Sequence, residues 1–409
     1  MKKRLKLLSI LCLCAFFLTA CSLHDYDFDE LAQDTRSRLA TAAVLSDADV
    51  YIRAKEEIVQ NEVLDIYSTT SVTEAVVENF VQKYPALKGY VFYHSLDNES
   101  GYDDLISGIE AGGSGVDLLI SHSDLVETLT SENLAYNYFP YFYKDKVETD
   151  YQIPTAFMYS STVFLYNKAL GMPDVRNIWA LTEDIWRGKI IMKDPRNEQV
   201  NEDFLYMLTT PQWTERLSAA YLDYYGVEWS SGTYTMIAHE WITKFIANCD
   251  FSGDSSMDVM RGLFDTGEQK IALVGYSKVR NLTAEERENI GLLAFDTNME
   301  GFAGFAFGTY VTVTHDSDCP YTAALFINYI LSEEGFSGEG AWNNYPGYYS
   351  TNLSIEKSLA NDKNFDYWKQ CLIVEDTSYI KDQNDRMKSY IEKCIERAHR
   401  KADRDFGEE

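Results

Sequence analysis

The feature that most restricts this chain is a strand–turn–helix unit that repeats from residue 62 onward. Val63, Leu64, Ile66 and Tyr67 read as a short strand, and Ser68-Thr69-Thr70-Ser71 follow it. Val72, Val76 and Phe80 then recur every four residues along one helical face until Pro85 stops the helix. Tyr90 to Tyr93 gives a second strand, residues 102–110 a helix, and Ala111-Gly112-Gly113-Ser114-Gly115 a turn. Val116-Asp117-Leu118-Leu119-Ile120 is too apolar to present a wet face, and Ser121-His122-Ser123 come next. Alternation of this kind predicts an α/β body with a mostly parallel sheet, its faces covered by helices.

The pattern resumes after Pro154. Thr162–Tyr166, Lys189–Met192 and Ile271–Val274 read as strands, and helices fall near 203–208, 213–225, 234–248 and 256–265. Residues 291–296 and 305–313 look extended, Tyr321–Leu331 forms an amphipathic helix, and the stretch from about Ser354 reads as charged and helical. At 409 residues, two lobes are the natural division. The expected organisation is a leader over 1–20, a tether and solvated helix over 21–61, and a first lobe over 62–155 plus about 296–350. A second lobe takes 156–295, with C-terminal helices over 351–409. No low-complexity linker separates the lobes, which implies strands that cross between them.

Residues 1–21 bear on location. Lys2, Lys3, Arg4 and Lys6 precede an apolar run, Leu7 to Leu18, too short to span a bilayer as a mature helix. Leu18-Thr19-Ala20-Cys21 then resembles the lipobox of bacterial lipoproteins, which implies cleavage before Cys21 and lipid (palmitate among it) on that residue. The expectation is an extracytoplasmic protein held at the cell membrane by its lipid alone, since no later apolar run is long enough to cross.

Formal net charge is −28, and loss of the leader's four cations takes it to about −32. Such a surface repels nucleic acid and anionic headgroups, so neither is an expected partner. Beyond the leader and the lipid-bearing Cys21, Cys249, Cys319, Cys371 and Cys394 remain, widely spaced and without CxxC pairs or alternating His. That spacing argues against a structural metal, and free thiols or disulfides both fit it. There is no HExxH, GxSxG, phosphate loop or dinucleotide fingerprint, so neither a catalytic residue nor a cofactor is assigned.

Several short motifs, in order, resemble a bacterial extracellular solute-binding protein. They are Ile66-Tyr67-Ser68, Val116-Asp117-Leu118-Leu119, Val163-Phe164-Leu165-Tyr166-Asn167, Trp186-Arg187-Gly188-Lys189-Ile190 with Asp194-Pro195, and Glu300-Gly301. Ala323-Ala324-Leu325-Phe326 through Leu331-Ser332-Glu333-Glu334-Gly335 completes the set. The nearest branch is the ferric-iron, polyamine and sugar-phosphate binders of ABC importers. The resemblance implies a two-lobed type II periplasmic-binding-protein fold with a crossing-strand hinge. It also implies a monomer that closes on a small solute and docks on a permease. A sensory protein of the same fold, partnering a histidine kinase, is the alternative; an extracellular hydrolase is the least favoured.

Ligands in open α/β sheets gather where loops leave the carboxyl ends of strands. That places Ser68, Thr69 and Thr70, then Ser121 and His122, at the expected cleft, the hydroxyls and helix-start amides suiting an oxyanion. Tyr159, Ser160 and Ser161 stand near the crossing strand. Asn197 and Glu198 follow Asp194-Pro195, where the family places second-lobe contacts, and Glu300 is a candidate acid. In the ferric binders a tyrosine pair follows the strand equivalent to Ile271–Val274; here only Tyr276 stands there, which disfavours iron. Few cleft carboxylates can be placed for a polyamine. A phosphate- or carboxylate-bearing metabolite is the preferred solute, with Arg196, Lys278 and Arg280 available to assist.

Overall fold

Two helices lead into the sheet: α1 (Phe28–Ala42) and α2 (Asp47–Val59). The computed structural model describes residues 28–60, 62–96, 102–265, 267–293, 299–361 and 363–406, so the leader and Cys21 lie outside the described residues. Ser46 starts α2 by accepting the Asp49 amide on its hydroxyl at 3.3 Å. Next come β1 (Leu64–Ser68), α3 (Val72–Lys83), β2 (Val91–Ser95), α4 (Tyr102–Ala111), β3 (Leu118–Ser121), α5 (Ser123–Ser131) and β4 (Ala135–Tyr136). The chain then enters β5 (Ala156–Asn167), whose twelve residues are all buried.

Beyond it lie β6 (Ile190–Ile191), α6 (Gln199–Met207), α7 (Pro211–Tyr225), α8 (Ile237–Ile246), β7 (Cys249–Asp250), α9 (Ser256–Arg261), β8 (Ile271–Gly275), α10 (Ala284–Glu288) and β9 (Ile290–Leu292). A second long strand, β10 (Gly304–Thr314), is again buried throughout. It leads to α11 (Pro320–Ile330), α12 (Glu333–Ser337), β11 (Tyr348–Ser350), α13 (Phe365–Trp368), β12 (Leu372–Val374) and α14 (Thr377–Phe406).

The strand order is β2-β1-β3-β10-β5-β8-β6-β7. At about 3.3 Å per residue, β5 and β10 each reach some 35–40 Å, enough to serve both ends of the sheet. The 304–310 part of β10 lies antiparallel to β5, and its 310–313 part pairs with β3. These two strands carry the chain between halves, so the boundary expected at residue 156 falls at the start of a strand that both halves share. The sheet is mixed. β1–β2, β1–β3, β6–β8 and β6–β7 pair in parallel, whereas β10–β3, β10–β5 and β5–β8 are antiparallel. The reason is that β5 and β10 run through the sheet rather than returning over a helix. Gly304 makes their close approach possible: its φ is +144°, and a Cβ there would lie 2.1 Å from the Thr162 carbonyl oxygen.

Each half has its own core. In the first, Ile66, Phe80, Leu118, Val311, Phe326 and Trp342 meet. Leu39, Ala42, Val50 and Ala54 of α1 and α2 join that core, so the stretch expected to be a solvated leader helix is a packed part of the first half. Burial of these side chains along one helical face outweighs the polar composition that suggested a tether. The second core gathers Phe164, Trp179, Phe204, Trp241, Phe302 and Phe305, and α14 adds Ile391 and Ile395. The segment after Ser354 is therefore not uniformly helical: β12 is a strand paired with β10. All four described cysteines are free thiols. Among the described residues no helix is long and apolar enough to cross a membrane.

Candidate functional site

The carboxyl ends of β1, β3, β6, β7 and β8 open onto one cleft of about 610 Å³. Thr69 and Thr70 follow β1; His122 follows β3; Lys193, Asp194, Asn197 and Glu198 follow β6. Gly253, Asp254 and Ser255 follow β7, and Ser277 and Lys278 follow β8. The floor is the crossing pair, with Ser160, Ser161 and Thr162 from β5 and Phe307 and Thr309 from β10.

Local hydrogen bonds shape the first of these turns. Ser68 Oγ lies 2.8 Å from Thr73 Oγ1 and accepts the Thr70 amide at 3.2 Å. The Thr69 amide donates to the Ile120 carbonyl at 3.1 Å, which ties the turn to β3. Thr70 lines the cleft, and its buried hydroxyl has no hydrogen-bond partner among the described residues. Helix α9 begins at the cleft with its start closed by a capping box between Ser255 and Asp258, and α3, α5 and α6 begin there too. The N-cap residues of the last three, Ser71, His122 and Glu198, make no side-chain cap hydrogen bond. Helix starts without such caps present amide donors and the positive end of the helix dipole.

Two cations stand among these donors. Lys193 is ion-paired with Glu198. Lys278 is half-buried, lines the cleft and has no ion pair among the described residues. Burial is the main cause that holds the Lys278 ammonium below the usual lysine range. His122 is also held below its ordinary value, first by burial and then by the Lys278 and Lys193 charges, with Asp124 pulling the other way. Its ring sits edge-on to Phe307 at 5.2 Å. Arg196 is engaged by Asp194 at 3.0 Å, and Arg280 donates to the Ser277 carbonyl at 2.8 Å. Neither arginine lines the cleft, so of the three assisting cations only Lys278 is placed there.

Of the twelve residues expected at the site, seven meet in this cleft: Thr69, Thr70, His122, Ser160, Ser161, Asn197 and Glu198. Five lie elsewhere. Ser68 is buried beneath the turn it braces, and Ser121 is buried with its hydroxyl 3.4 Å from Tyr102. Tyr159 faces a second cavity of about 650 Å³ behind the crossing strands, stacked on Phe365 at 4.5 Å. Tyr276 packs at the edge of the core formed by Val259, Ala272 and Leu372. Glu300 is exposed and pairs with Asn177, and its carbonyl takes the Ile178 amide at 3.0 Å.

Lining residues that went unread include Lys193, Asn201, Ser255, Ser256, Asn281 and Tyr348. β7 has only two residues, so no apolar run announces the loop that carries Ser255. Tyr348 arrives from β11, more than 70 residues after β8 in sequence.

One group of possible metal ligands lies away from the cleft. Asp117, Asp318 and Cys319 place one ligand atom each within 4.8 Å of the others. Asp117 already accepts the Asp65 amide at 2.9 Å and the Ser317 hydroxyl at 2.7 Å.

No family model matches the chain, and no curated protein sequence matches it. Solved structures do. The periplasmic binding protein AfuA from Actinobacillus pleuropneumoniae, with exogenous fructose-6-phosphate bound, aligns at a TM-score of 0.56 and 16% identity, covering 82% of this chain and 98% of its own. Apo ferric ion-binding protein A of Pasteurella haemolytica aligns at 0.55 and 14%, covering 83% and 98%. Iron-bound HitA from Pseudomonas aeruginosa aligns at 0.54 and 17%, covering 79% and 99%. The chain has the two-lobed type II periplasmic-binding-protein fold.

Proposed function

We propose that this protein is an extracytoplasmic solute-binding protein that captures a small phosphate- or carboxylate-bearing metabolite between its lobes. Lys278 is the observation that carries the proposal. It is a half-buried cation with no ion-pair partner among the described residues, set in a cleft where three helices start without side-chain caps. Withdrawing an ammonium from water is unfavourable, and an anion arriving in the cleft offsets that cost with charge-assisted hydrogen bonds. The unpartnered Thr70 hydroxyl adds a donor at contact distance.

The overall charge of −28 does not oppose this reading, because exposed charges beyond about 8 Å are screened at physiological salt. Lys193 and Lys278 disfavour a ferric ion or a polyamine, each of which would bring positive charge beside them.

Function then follows from population shift. A solute that touches both lobes only when they close stabilises the closed form, which an ABC permease reads. A lipid on Cys21 would hold the protein beside that permease at the membrane face. The test is a thermal-shift screen over sugar phosphates, other phosphate esters, carboxylates, ferric citrate and polyamines. A ligand at a few hundred times Kd raises stability by about 3 kcal/mol. A shift with a phosphate ester or carboxylate supports the proposal; a shift with ferric citrate or a polyamine alone overturns it.

A further inference from the structure

The chain after residue 363 is built into the hinge. β12 pairs in parallel with the Gly304–Ala306 end of β10. From there α14 lies on α6 and α8, placing Ile380, Met387, Ile391, Cys394 and Ile395 in the second core. By packing, this segment belongs to the second half of the molecule.

Side chains of the segment nevertheless reach the first half: Lys369 pairs with Glu148 at 3.2 Å, and two others, Glu375 and Lys381, reach α5. Glu375 directly follows β12, and its own amide donates to the Ala306 carbonyl at 2.8 Å. One carboxylate oxygen accepts the Ser123 hydroxyl at 2.6 Å, at the start of α5. The other accepts the Gly308 amide at 2.8 Å and the Tyr310 hydroxyl at 3.0 Å. Gly308 to Tyr310 is where β10 passes from β5 to β3, with a register irregularity between Thr309 and Tyr310. Six residues further on, Lys381 forms an ion pair with Glu127, also on α5. Ser123 and Glu127 are four apart and share a helical face, so both contacts grip the same side of α5.

We propose that the C-terminal segment is an interlobe strap and that Glu375 is its positioning residue. The strap holds the start of α5, and with it the cleft residue His122, in a fixed relation to the crossing strand. It thereby narrows the range of lobe separations open to the unliganded protein. The grip at Glu375 is the stronger of the two, because a carboxylate that accepts three donors is replaced by nothing equivalent when the lobes move. The Lys381–Glu127 pair is exposed and contributes less. This inference rests on the two-lobed reading and makes no use of the solute's chemistry.

The test is a dipolar spin-label distance measurement on the full, unliganded chain. One label goes on the exposed Glu78 position of α3 and the other on the exposed Glu215 position of α7. They are attached through unnatural residues, since the described residues alone hold four native thiols. Glu375→Gln keeps the shape but turns an acceptor into an amide donor facing donors already there. Ser123→Ala removes one hydroxyl and keeps the test open should the first variant not fold. Both are expected to shift the mean distance and broaden its distribution while leaving circular dichroism unchanged. Lys381→Glu is expected to do so more weakly, and adding Glu127→Lys to it restores the wild-type profile. Folded Glu375→Gln or Ser123→Ala protein with a distribution that superimposes on wild type overturns the proposal. A failure here leaves the cleft proposal standing, and a failed ligand screen leaves the strap standing.

Discussion

Lys278→Met separates a binding role from a structural one, because the two roles predict opposite signs. Methionine keeps most of the side-chain length and its packing while removing the charge. A hydrogen bond to a charged group is worth about 1.5–3 kcal/mol, so affinity for the anionic solute should fall about 10- to 150-fold. Stability of the unliganded protein should hold or rise, since the variant no longer withdraws an unpaired ammonium from water. The pH dependence follows the same logic. Burial holds the Lys278 ammonium below its usual range in the folded state. Between that lowered value and the ordinary lysine value, the unfolded chain binds more protons, so this residue's effect on stability becomes more favourable as pH rises. Affinity for the anion falls through the same window, as the folded-state ammonium deprotonates. Isothermal titration calorimetry from pH 7 to pH 10, using the phosphate ester found by the screen and inorganic phosphate as control, reads affinity. Thermal denaturation of the same samples reads stability. Unchanged affinity together with a lowered Tm in Lys278→Met would refute the reasoning.

Two further outcomes are expected. Glu57 and Asp117 are both pushed up to about 7, chiefly by burial. Stability from a raised carboxyl is fully present below its unfolded value and is lost as pH rises through the folded one, by about 3 kcal/mol for Glu57 and about 4 kcal/mol for Asp117. The urea midpoint should therefore fall between pH 5 and pH 8, with a shallower slope in Asp117→Asn; a wild-type midpoint that holds or rises contradicts this. Gly347 has φ +80°, and a Cβ there would lie 2.8 Å from Tyr276 Cβ and 2.9 Å from Ser161 Oγ. Gly347→Ala should cost more than about 1 kcal/mol in chemical denaturation, and wild-type stability would show that the turn relaxes freely.

Much of the framework was legible because its signals are local. The Val72-Val76-Phe80 face became α3, and the apolar run at Leu118 became β3. Strand ends that lead straight into helices point to Thr69, Thr70, His122, Asn197 and Glu198, and these residues line the cleft the structure opens there. Three kinds of information were not local. Side-chain direction within β5 sends Tyr159 to the back while Ser160 faces the cleft, a distinction that register decides. Partners far apart in sequence decide that α1 and α2 are buried against the first core and that Glu375 meets Ser123. Very short strands such as β7 owe their existence to a neighbour, here β6, rather than to their own composition. Glu300 shows the converse, a short motif whose residue pairs with Asn177 outside the cleft.

Closure of the two lobes on an anion is best tested by small-angle X-ray scattering of the protein alone and with a calorimetrically verified, saturating phosphate ester. The account predicts a smaller radius of gyration with ligand, because binding favours the form in which both lobes touch the solute. Superimposable profiles from the free and saturated protein would contradict it.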